Sequence, residues 1–253
     1  MTSTNGDEVR SGLFVSLGNF FFFHRNWMFA VVMLGLVIAY RPVYPLGSES
    51  LDRWLDVLGI AVILGGQALR AIVIGLAYIV RGGKDGKVYA EGLVTTGFFS
   101  HCRNPLYVGN MMVFFGLFIV FNNPLVYLIG VPFVLLVYAA ITAAEEAYLR
   151  GRFGQEYEDY CGRVRRWLPT LRGLRQTVRG MTFSWARVVI REYGSTYAWT
   201  SWLLFLLGYE RLAHSTYKQE QAPLVLLLAA WILATVAWLA IGQLKRSHRL
   251  VAD

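Results

Sequence analysis

The chain has few of the residues that build disulfide frameworks, metal sites or charged soluble surfaces. Only two of its 253 residues are cysteines and only four are histidines. Cys102 and Cys161 lie far apart and form no Cys-x-x-Cys motif, so we expect neither a disulfide nor a metal site. Charged residues make up 16% of the chain and apolar residues 56%. This is not the composition of an ordinary soluble domain.

Motifs of soluble enzymes are also missing. The chain contains no Gly-x-Ser-x-Gly and no pair of carboxylates spaced as an acid and a base. The stretch GGKDGK (82–87) resembles a phosphate-binding loop, but its spacing differs and no Ser or Thr follows the lysine. No strand, turn and helix are in place for a dinucleotide fold. Ordinary hydrolysis is therefore unsupported.

What the chain does contain is a series of apolar runs, of which about 20 residues suffice to cross a bilayer. They predict an all-α, polytopic membrane protein with about six spans. The expected spans are 27–40, 54–80, 106–121, 124–144, 197–212 and 223–241. We expect a Phe-rich lead-in before the first span, a loop at 81–92, and a basic segment at 148–194 with a helix on the membrane surface. We expect no removable signal peptide and no lipid anchor.

The basic residues are distributed unevenly between the loops. Most of the 24 Lys and Arg lie in the termini, in the 81–103 loop and in the 150–191 segment. The alternate loops hold only Arg41, Arg53, Arg211 and Lys218. Because cytoplasmic loops are enriched in Lys and Arg, both termini are expected in the cytoplasm. This topology accounts for the net charge of +8, so we expect no nucleic-acid partner.

The polar residues concentrate at the two ends of one apolar hairpin. LVTTGFFSHCRNPLYVGN (93–110) precedes it, AAEEAYLRGRFGQEYEDYCGRVRRWLP (143–169) follows it, and Asn122-Asn123-Pro124 turns it. Two consecutive spans return the chain to the same side of the membrane. Arg103, Asn104 and Tyr107 are therefore expected near Glu145 and Glu146. This places a site in a central unit, 93–169, between flanking units 1–92 and 170–253.

Arg70 differs from the other arginines because it falls inside the second predicted span. A charge within a membrane is a candidate functional residue by default, and an inward-facing partner is expected. The alternative is that its long side chain reaches the membrane boundary. His101 is expected to be a core or interface histidine.

The ordered motifs of 93–169 resemble those of the isoprenylcysteine carboxyl methyltransferase family. The pattern is LVTTGF (93–98), RNPLYVG (103–109), Glu145-Glu146, FGQEY (153–157) and RRWLP (165–169). The related phospholipid N-methyltransferases share much of it. Asn104 stands where the family usually has His, Phe98 where it commonly has Tyr, and two extra spans follow the usual end of the family core.

The resemblance implies an integral membrane methyltransferase that uses S-adenosylmethionine at the cytoplasmic mouth, with a lipophilic acceptor entering from the bilayer. A glutamate would pair the cofactor's ammonium or ribose, an arginine its carboxylate, and aromatic rings its sulfonium or adenine. The expected cofactor-binding residues are Val94, Thr95, Gly97, Phe98, Arg103, Asn104, Pro105, Tyr107, Gly109, Glu145, Glu146 and Tyr157. The expected catalytic residues are Arg70, Arg166 and Glu146, with Arg70 and Arg166 as anchors for an anionic acceptor.

Two other functions stay open at this point. One is an NADPH-dependent membrane reductase of the steroid-reductase type, with Lys84, Lys87 and Arg152 near the nucleotide phosphate. The other is a non-catalytic membrane subunit whose last two spans dock a partner. Within the methyltransferase hypothesis, methylation of a carboxylate, an amine or a thiol all remain possible. The sequence does not fix the oligomeric state, and the extra spans either wall the acceptor pocket or mediate association.

Overall fold

The computed structural model describes residues 4–76, 81–84, 87–90 and 92–247, and this part of the chain is almost entirely helical. Its α-helices are α1 (Thr4–Ala39), α2 (Glu49–Leu76), α3 (Pro105–Phe121), α4 (Pro124–Phe153), α5 (Gln155–Arg163), α6 (Leu174–Arg179), α7 (Trp185–His214) and α8 (Gln221–Arg246). Short 3-10 helices lie at Pro45–Gly47 and Gly97–Ser100. The helical class is confirmed, with one exception. The predicted 81–92 loop contains an antiparallel hairpin of β1 (Arg81–Lys84) and β2 (Lys87–Ala90).

Within the described part of the chain, four helices are long and apolar enough to cross a membrane: Gly12–Ala39, Glu49–Leu76, Pro124–Phe153 and Gln221–Arg246. α3 is apolar but has only 17 residues. The described part of the second predicted span ends at Leu76, and residues 77–80 lie outside the described residues. The Phe-rich lead-in is not a separate segment, because it belongs to α1, where Phe21 and Phe22 are buried.

The predicted hairpin turn between α3 and α4 is confirmed, and its two asparagines explain it. Asn122 ends α3 in the left-handed conformation, with φ of 46°. The Asn123 side chain caps α4 by accepting from the Leu125 amide. Both side chains also donate to the segment after α1, Asn122 to the Val43 carbonyl and Asn123 to the Arg41 carbonyl. The turn thereby ties this end of the bundle together.

α2 and α3 pack at backbone distance because glycines face each other. A Cβ on Gly66 would lie 2.6 Å from the Gly109 carbonyl oxygen, and one on Gly109 would lie 2.8 Å from the Gly66 carbonyl oxygen. Small residues permit this close approach between membrane helices. Because the two helices approach so closely at Gly66, the side chain of Arg70, one turn further along α2, packs tightly against α3.

α7 corrects the sequence prediction for the C-terminal region. The expected surface helix and the expected fifth span are one continuous helix, Trp185–His214. It packs against α2 and α3, and α8 packs mainly against α7. None of the residues of α8 is buried. The C-terminal region therefore adds one helix to the core and a second helix outside it.

Candidate active site

Two loops that are far apart in sequence form the base of the site. The segment between the Gly97–Ser100 helix and α3 lies against the RRWLP segment after α5. The Arg103 amide donates to the Arg165 carbonyl at 2.9 Å, and the Asn104 side chain donates to the Arg166 carbonyl at 3.2 Å. The Tyr160 hydroxyl donates to the Phe99 carbonyl at 2.7 Å. The resemblance motifs RNPLYVG and RRWLP thus meet in space.

Glu146 lies at the centre of three arginines. Arg166 donates to it through two bonds, Nε to Oε1 at 2.9 Å and Nη2 to Oε2 at 2.6 Å. Arg103 Nη2 lies 3.2 Å from Oε1, and Arg150 Nη2 lies 3.6 Å from Oε2. The carboxylate is only 2% exposed, whereas the Arg150 and Arg166 side chains are 44% and 42% exposed. This Glu146 cluster sets three guanidinium groups against one carboxylate, and so retains an excess of positive charge.

Glu145 points to different partners from those of its neighbour. The Tyr107 hydroxyl donates to Glu145 Oε1 at 2.6 Å. Arg25 of α1 donates to the same hydroxyl at 3.5 Å and stacks over the Phe22 ring at 4.5 Å. The predicted proximity of Arg103 and Tyr107 to the two glutamates is therefore confirmed. The fourth span was expected to end at residue 144, just before both glutamates, but α4 continues beyond them to Phe153.

Arg70 has a buried partner, as its position inside a predicted span led us to expect. Its Nε and Nη2 atoms donate to the two carboxylate oxygens of Glu192 at 2.7 and 2.6 Å. Nη1 donates to the Asn110 side chain. Gln67 also donates to Glu192, at 3.2 Å, and its own oxygen accepts from the Trp199 ring nitrogen at 2.9 Å. We call this group the Arg70–Glu192 pair, and it joins α2, α3 and α7.

A cavity of about 670 Å³ connects these groups. Arg103, Asn104 and Pro105 lie at one part of its wall, and Arg70 and Asn110 at another. Its remaining lining is largely aromatic, from α1, α3, α4 and α7, and includes Phe29, Phe114, Tyr138, Trp199 and Trp202. Tyr107 and Glu145 also line it. A site with converging charges in an aromatic wall is typical of small-molecule binding.

Some of the predicted site residues line the cavity, and others lie behind its wall. Those that line the cavity are Arg70, Arg103, Asn104, Pro105, Tyr107 and Glu145. Glu146 and Arg166 lie behind this wall and reach it through Arg103. Three others support the wall. Gly109 does so through the contact with α2, and Val94 and Phe98 through a small apolar cluster with Val73, Leu76 and Phe99.

Three further predicted cofactor residues do not line the cavity. Gly97 has φ of +61°, and a Cβ there would lie 2.9 Å from the Met181 side chain. Thr95 lies in the irregular segment just before it. Tyr157 is buried against Leu149 and Tyr160. Burial, and secondly the nearby Glu146 charge, raise the pKa of the Tyr157 hydroxyl, so it stays protonated at neutral pH.

His101 and Cys102 have structural partners. His101 is buried, and its ring nitrogens lie 2.7 Å from the Thr170 carbonyl oxygen and 2.9 Å from the Thr177 hydroxyl. The expectation of a core histidine is confirmed. Burial raises the pKa of the Cys102 thiol, which therefore stays protonated and is a poor nucleophile. Among the described residues, no group of His, Cys, Asp and Glu is arranged to hold a metal ion.

Sequence reasoning missed Glu192 and Arg25. Glu192 is 122 positions from Arg70, and it lies in a segment read as a surface helix, where an acid is unremarkable in composition. The available signal was Arg70 itself, since an intramembrane arginine requires an inward acid. Arg25 was hidden in the supposed lead-in. No local pattern distinguishes it from a residue at the membrane boundary.

Comparisons with known proteins point to methyltransferases. Residues 55–156 match the family model "Phospholipid methyltransferase". The chain is also similar to the Protein-S-isoprenylcysteine O-methyltransferases of Rattus norvegicus and Mus musculus, at 32% identity over 130 residues, and to that of Homo sapiens, at 31%. Each match covers 48% of this chain and 44% of the relative, so the chain matches less than half of their length. No solved structure matches the chain.

These matches confirm the resemblance drawn from the motifs. The chain is similar to a family of membrane methyltransferases, and its apolar helices are those of an integral membrane protein. The matched part extends from α2 to the start of α5, and so contains Arg70, Arg103, Tyr107, Glu145 and Glu146. It does not contain Glu192. The comparisons give no support to the reductase alternative.

Proposed function

We propose that this protein is an integral membrane methyltransferase that moves a methyl group from S-adenosylmethionine to a lipophilic acceptor. The observation that carries the proposal is Arg103. It lines the cavity, it is tied to Glu146, and its buried Nε has no hydrogen-bond partner. A buried guanidinium N–H without a partner is costly, and an anionic ligand at this wall would satisfy it.

The charges of the cavity wall match those of S-adenosylmethionine. Arg103 would bind the carboxylate, and Glu145, held by the Tyr107 hydroxyl, would bind the ammonium. The faces of Tyr107 and Tyr138, whose ring centroids lie 5.3 Å apart, would contact the sulfonium or the adenine. The Glu146 cluster would hold Arg103 in place from behind, which gives Glu146 and Arg166 a positioning role.

When bound, S-adenosylmethionine supplies an activated methyl group that a nucleophile attacks in line. The protein's contribution is to hold the acceptor close and exclude water. We assign the acceptor side to Arg70, which lines the same cavity and is fixed in direction by both oxygens of Glu192. The aromatic residues of α1 and α7 would keep water from this part.

The proposed topology follows the basic residues. In it α1, α2, α3, α4, α7 and α8 are the six spans, both termini lie in the cytoplasm, and the Glu146 cluster faces the cytoplasm. A soluble cofactor would then reach the cavity from the cytoplasm, and an acceptor or membrane lipid from the bilayer.

The test is methyl transfer by purified protein in lipid nanodiscs. Methyl-labelled S-adenosylmethionine is supplied with three acceptors: an N-acetyl-S-prenylcysteine, a phosphatidylethanolamine and a long-chain thiol. Label in any lipid-soluble product, lost in Arg103→Gln and retained in Glu158→Gln, supports the proposal. Absence of labelled product together with oxidation of NADPH would favour the reductase. Absence of any cofactor binding would favour the non-catalytic subunit.

A further inference from the structure

A second, apolar groove continues from the cavity along α7. It has a volume of about 730 Å³ and lies between α1, α7 and α8. The two spaces share the side chains of Ala198 and Trp202. The groove therefore begins where the aromatic wall of the cavity ends.

The surface of the groove is apolar, although several of its residues carry polar groups. The Trp231 ring nitrogen donates to the Ser201 hydroxyl at 3.2 Å. The Tyr197 hydroxyl lies 3.1 Å from the Thr235 hydroxyl, and that of Tyr209 donates to the Val37 carbonyl of α1 and to the Tyr40 carbonyl just after it. No charged residue is found among the residues that line the groove. These polar groups are thus engaged with protein partners rather than offered to a ligand.

The groove is long enough for one hydrocarbon chain. Its lining on α7 runs from Tyr197 to Leu212, which is about 22 Å at a rise of 1.5 Å per residue. A lipid chain of one leaflet occupies about half of the roughly 30 Å hydrocarbon core. A chain that enters at Ala198 would therefore be covered along its whole length.

We propose that this groove binds the single long hydrocarbon chain of the acceptor, with the acceptor's reactive group in the cavity beside Arg70. The inference rests on the proposed function and adds the place and shape of the acceptor site. It gives α7 and α8, which lie outside the matched residues 55–156, a role in substrate binding. It also explains how α8 contributes while none of its residues is buried.

The position of Gly208 offers a way to block the groove far from the cavity. Gly208 lines the groove ten residues after Ala198, which is about 15 Å along the helix. A Cβ there would lie 3.6 Å from Leu224, an ordinary contact, so Gly208→Ala should fold normally. Gly208→Phe should fill the far end. The matched control is Leu226→Phe, because Leu226 is 71% exposed on α8 and does not line the groove.

The direct test uses an S-alkyl-N-acetylcysteine with a photoreactive diazirine at the end of a long chain. It is crosslinked to wild-type protein in nanodiscs, and the labelled peptides are mapped by mass spectrometry. We expect label at the far end of the groove, near Gly208 and Leu224, and competition by unlabelled long-chain probe. A short-chain homologue should label near Ala198 instead. A phosphatidylcholine with the same diazirine controls for bulk lipid.

The variants add a chain-length readout. Gly208→Phe should weaken competition by the long-chain probe at least about tenfold, since two or more methylene groups lose their burial, and leave the short-chain probe unchanged. Leu226→Phe should change neither. Label confined to the outer face of α8, equal groove labelling by phosphatidylcholine, or no label in the groove would overturn the proposal.

Binding of S-adenosylmethionine is measured on the same preparations. If the cofactor binds but the groove is not labelled, the groove proposal alone fails. If the cofactor does not bind, the proposed function fails, whatever the labelling shows.

Discussion

The two charged groups of the cavity are built on opposite principles. In the Glu146 cluster one carboxylate is shared by three arginines, two of which are nearly half exposed. In the Arg70–Glu192 pair one arginine meets one carboxylate through two bonds, and the two side chains are only 12% and 4% exposed. The first group has an excess of positive charge and a donor without a partner, so it suits an anionic ligand that comes and goes. The second is balanced in charge, so it suits a fixed part of the wall.

This difference between the two groups indicates where specificity for the acceptor would lie. An acceptor carboxylate at Arg70 would have to compete with Glu192, which already occupies two of its donors. The pair therefore acts in the proposed enzyme as an oriented dipole with a fixed hydrogen-bond pattern rather than as a free cation.

The largest effect is expected from Glu146→Gln. Loss of this charge leaves three arginines facing one another, with Arg103 buried, and breaking a buried ion pair costs about 3–5 kcal/mol. We expect loss of S-adenosylmethionine binding and a clear drop in thermal stability. Glu158→Gln is the control, because Glu158 is about half exposed and forms its ion pair with Arg150. Equal effects of the two changes would contradict the assignment.

The Arg70–Glu192 pair can be separated from cofactor binding by a double-mutant cycle. Arg70→Gln and Glu192→Gln each leave a buried charge without its partner and should destabilise the protein by several kcal/mol, about 3–5 for a fully buried pair. The double variant should be less destabilised than the sum of the singles. Thermal unfolding in detergent measures this, and additive losses would show that the pair is not coupled.

Gly66→Ala tests the contact that presses Arg70 against α3. The new Cβ would lie 2.6 Å from a backbone oxygen, which forces the two helices apart at a cost of about 1–3 kcal/mol. Gly65→Ala is the adjacent control, since its Cβ would meet only the flexible end of Met112 at 3.3 Å. The melting temperature should fall for Gly66→Ala and hold for Gly65→Ala. Equal melting temperatures would refute close packing at Gly66.

The smallest effect is expected from Arg150→Gln. Arg150 is 44% exposed and lies 3.6 Å from Glu146. Its contribution to the free energy of S-adenosylmethionine binding should therefore be less than about 1 kcal/mol and should diminish in high salt. Arg103→Gln should show a larger and less salt-dependent loss in the same calorimetric titration. A larger effect at Arg150 would mean that the exposed arginines, not the buried one, hold the ligand.

The sequence predicted the helical hairpin of α3 and α4, because spans must cross the membrane and return. From that hairpin it also predicted the approach of Arg103 and Tyr107 to the two glutamates. It also predicted that Arg70 needs a partner, but not which one. Pairing across α2 and α7 leaves no local pattern, so Glu192 could be found only in three dimensions. The pairing of β1 with β2 was missed because the glycines of the predicted 81–92 loop are typical of irregular structure. The break expected before Tyr197 was wrong because Gly194 lies within a helix that tertiary contacts stabilise.

The proposed function requires that the cofactor binds at Arg103 of the Glu146 cluster and that the acceptor binds beside Arg70. Its most direct test is calorimetric titration of S-adenosylmethionine into wild-type protein, Arg103→Gln and Arg70→Gln. We expect binding to the wild type, at least about tenfold weaker binding to Arg103→Gln, a loss of about 1.4 kcal/mol, and nearly unchanged binding to Arg70→Gln. No binding to the wild type, or equal weakening in the two variants, would contradict it.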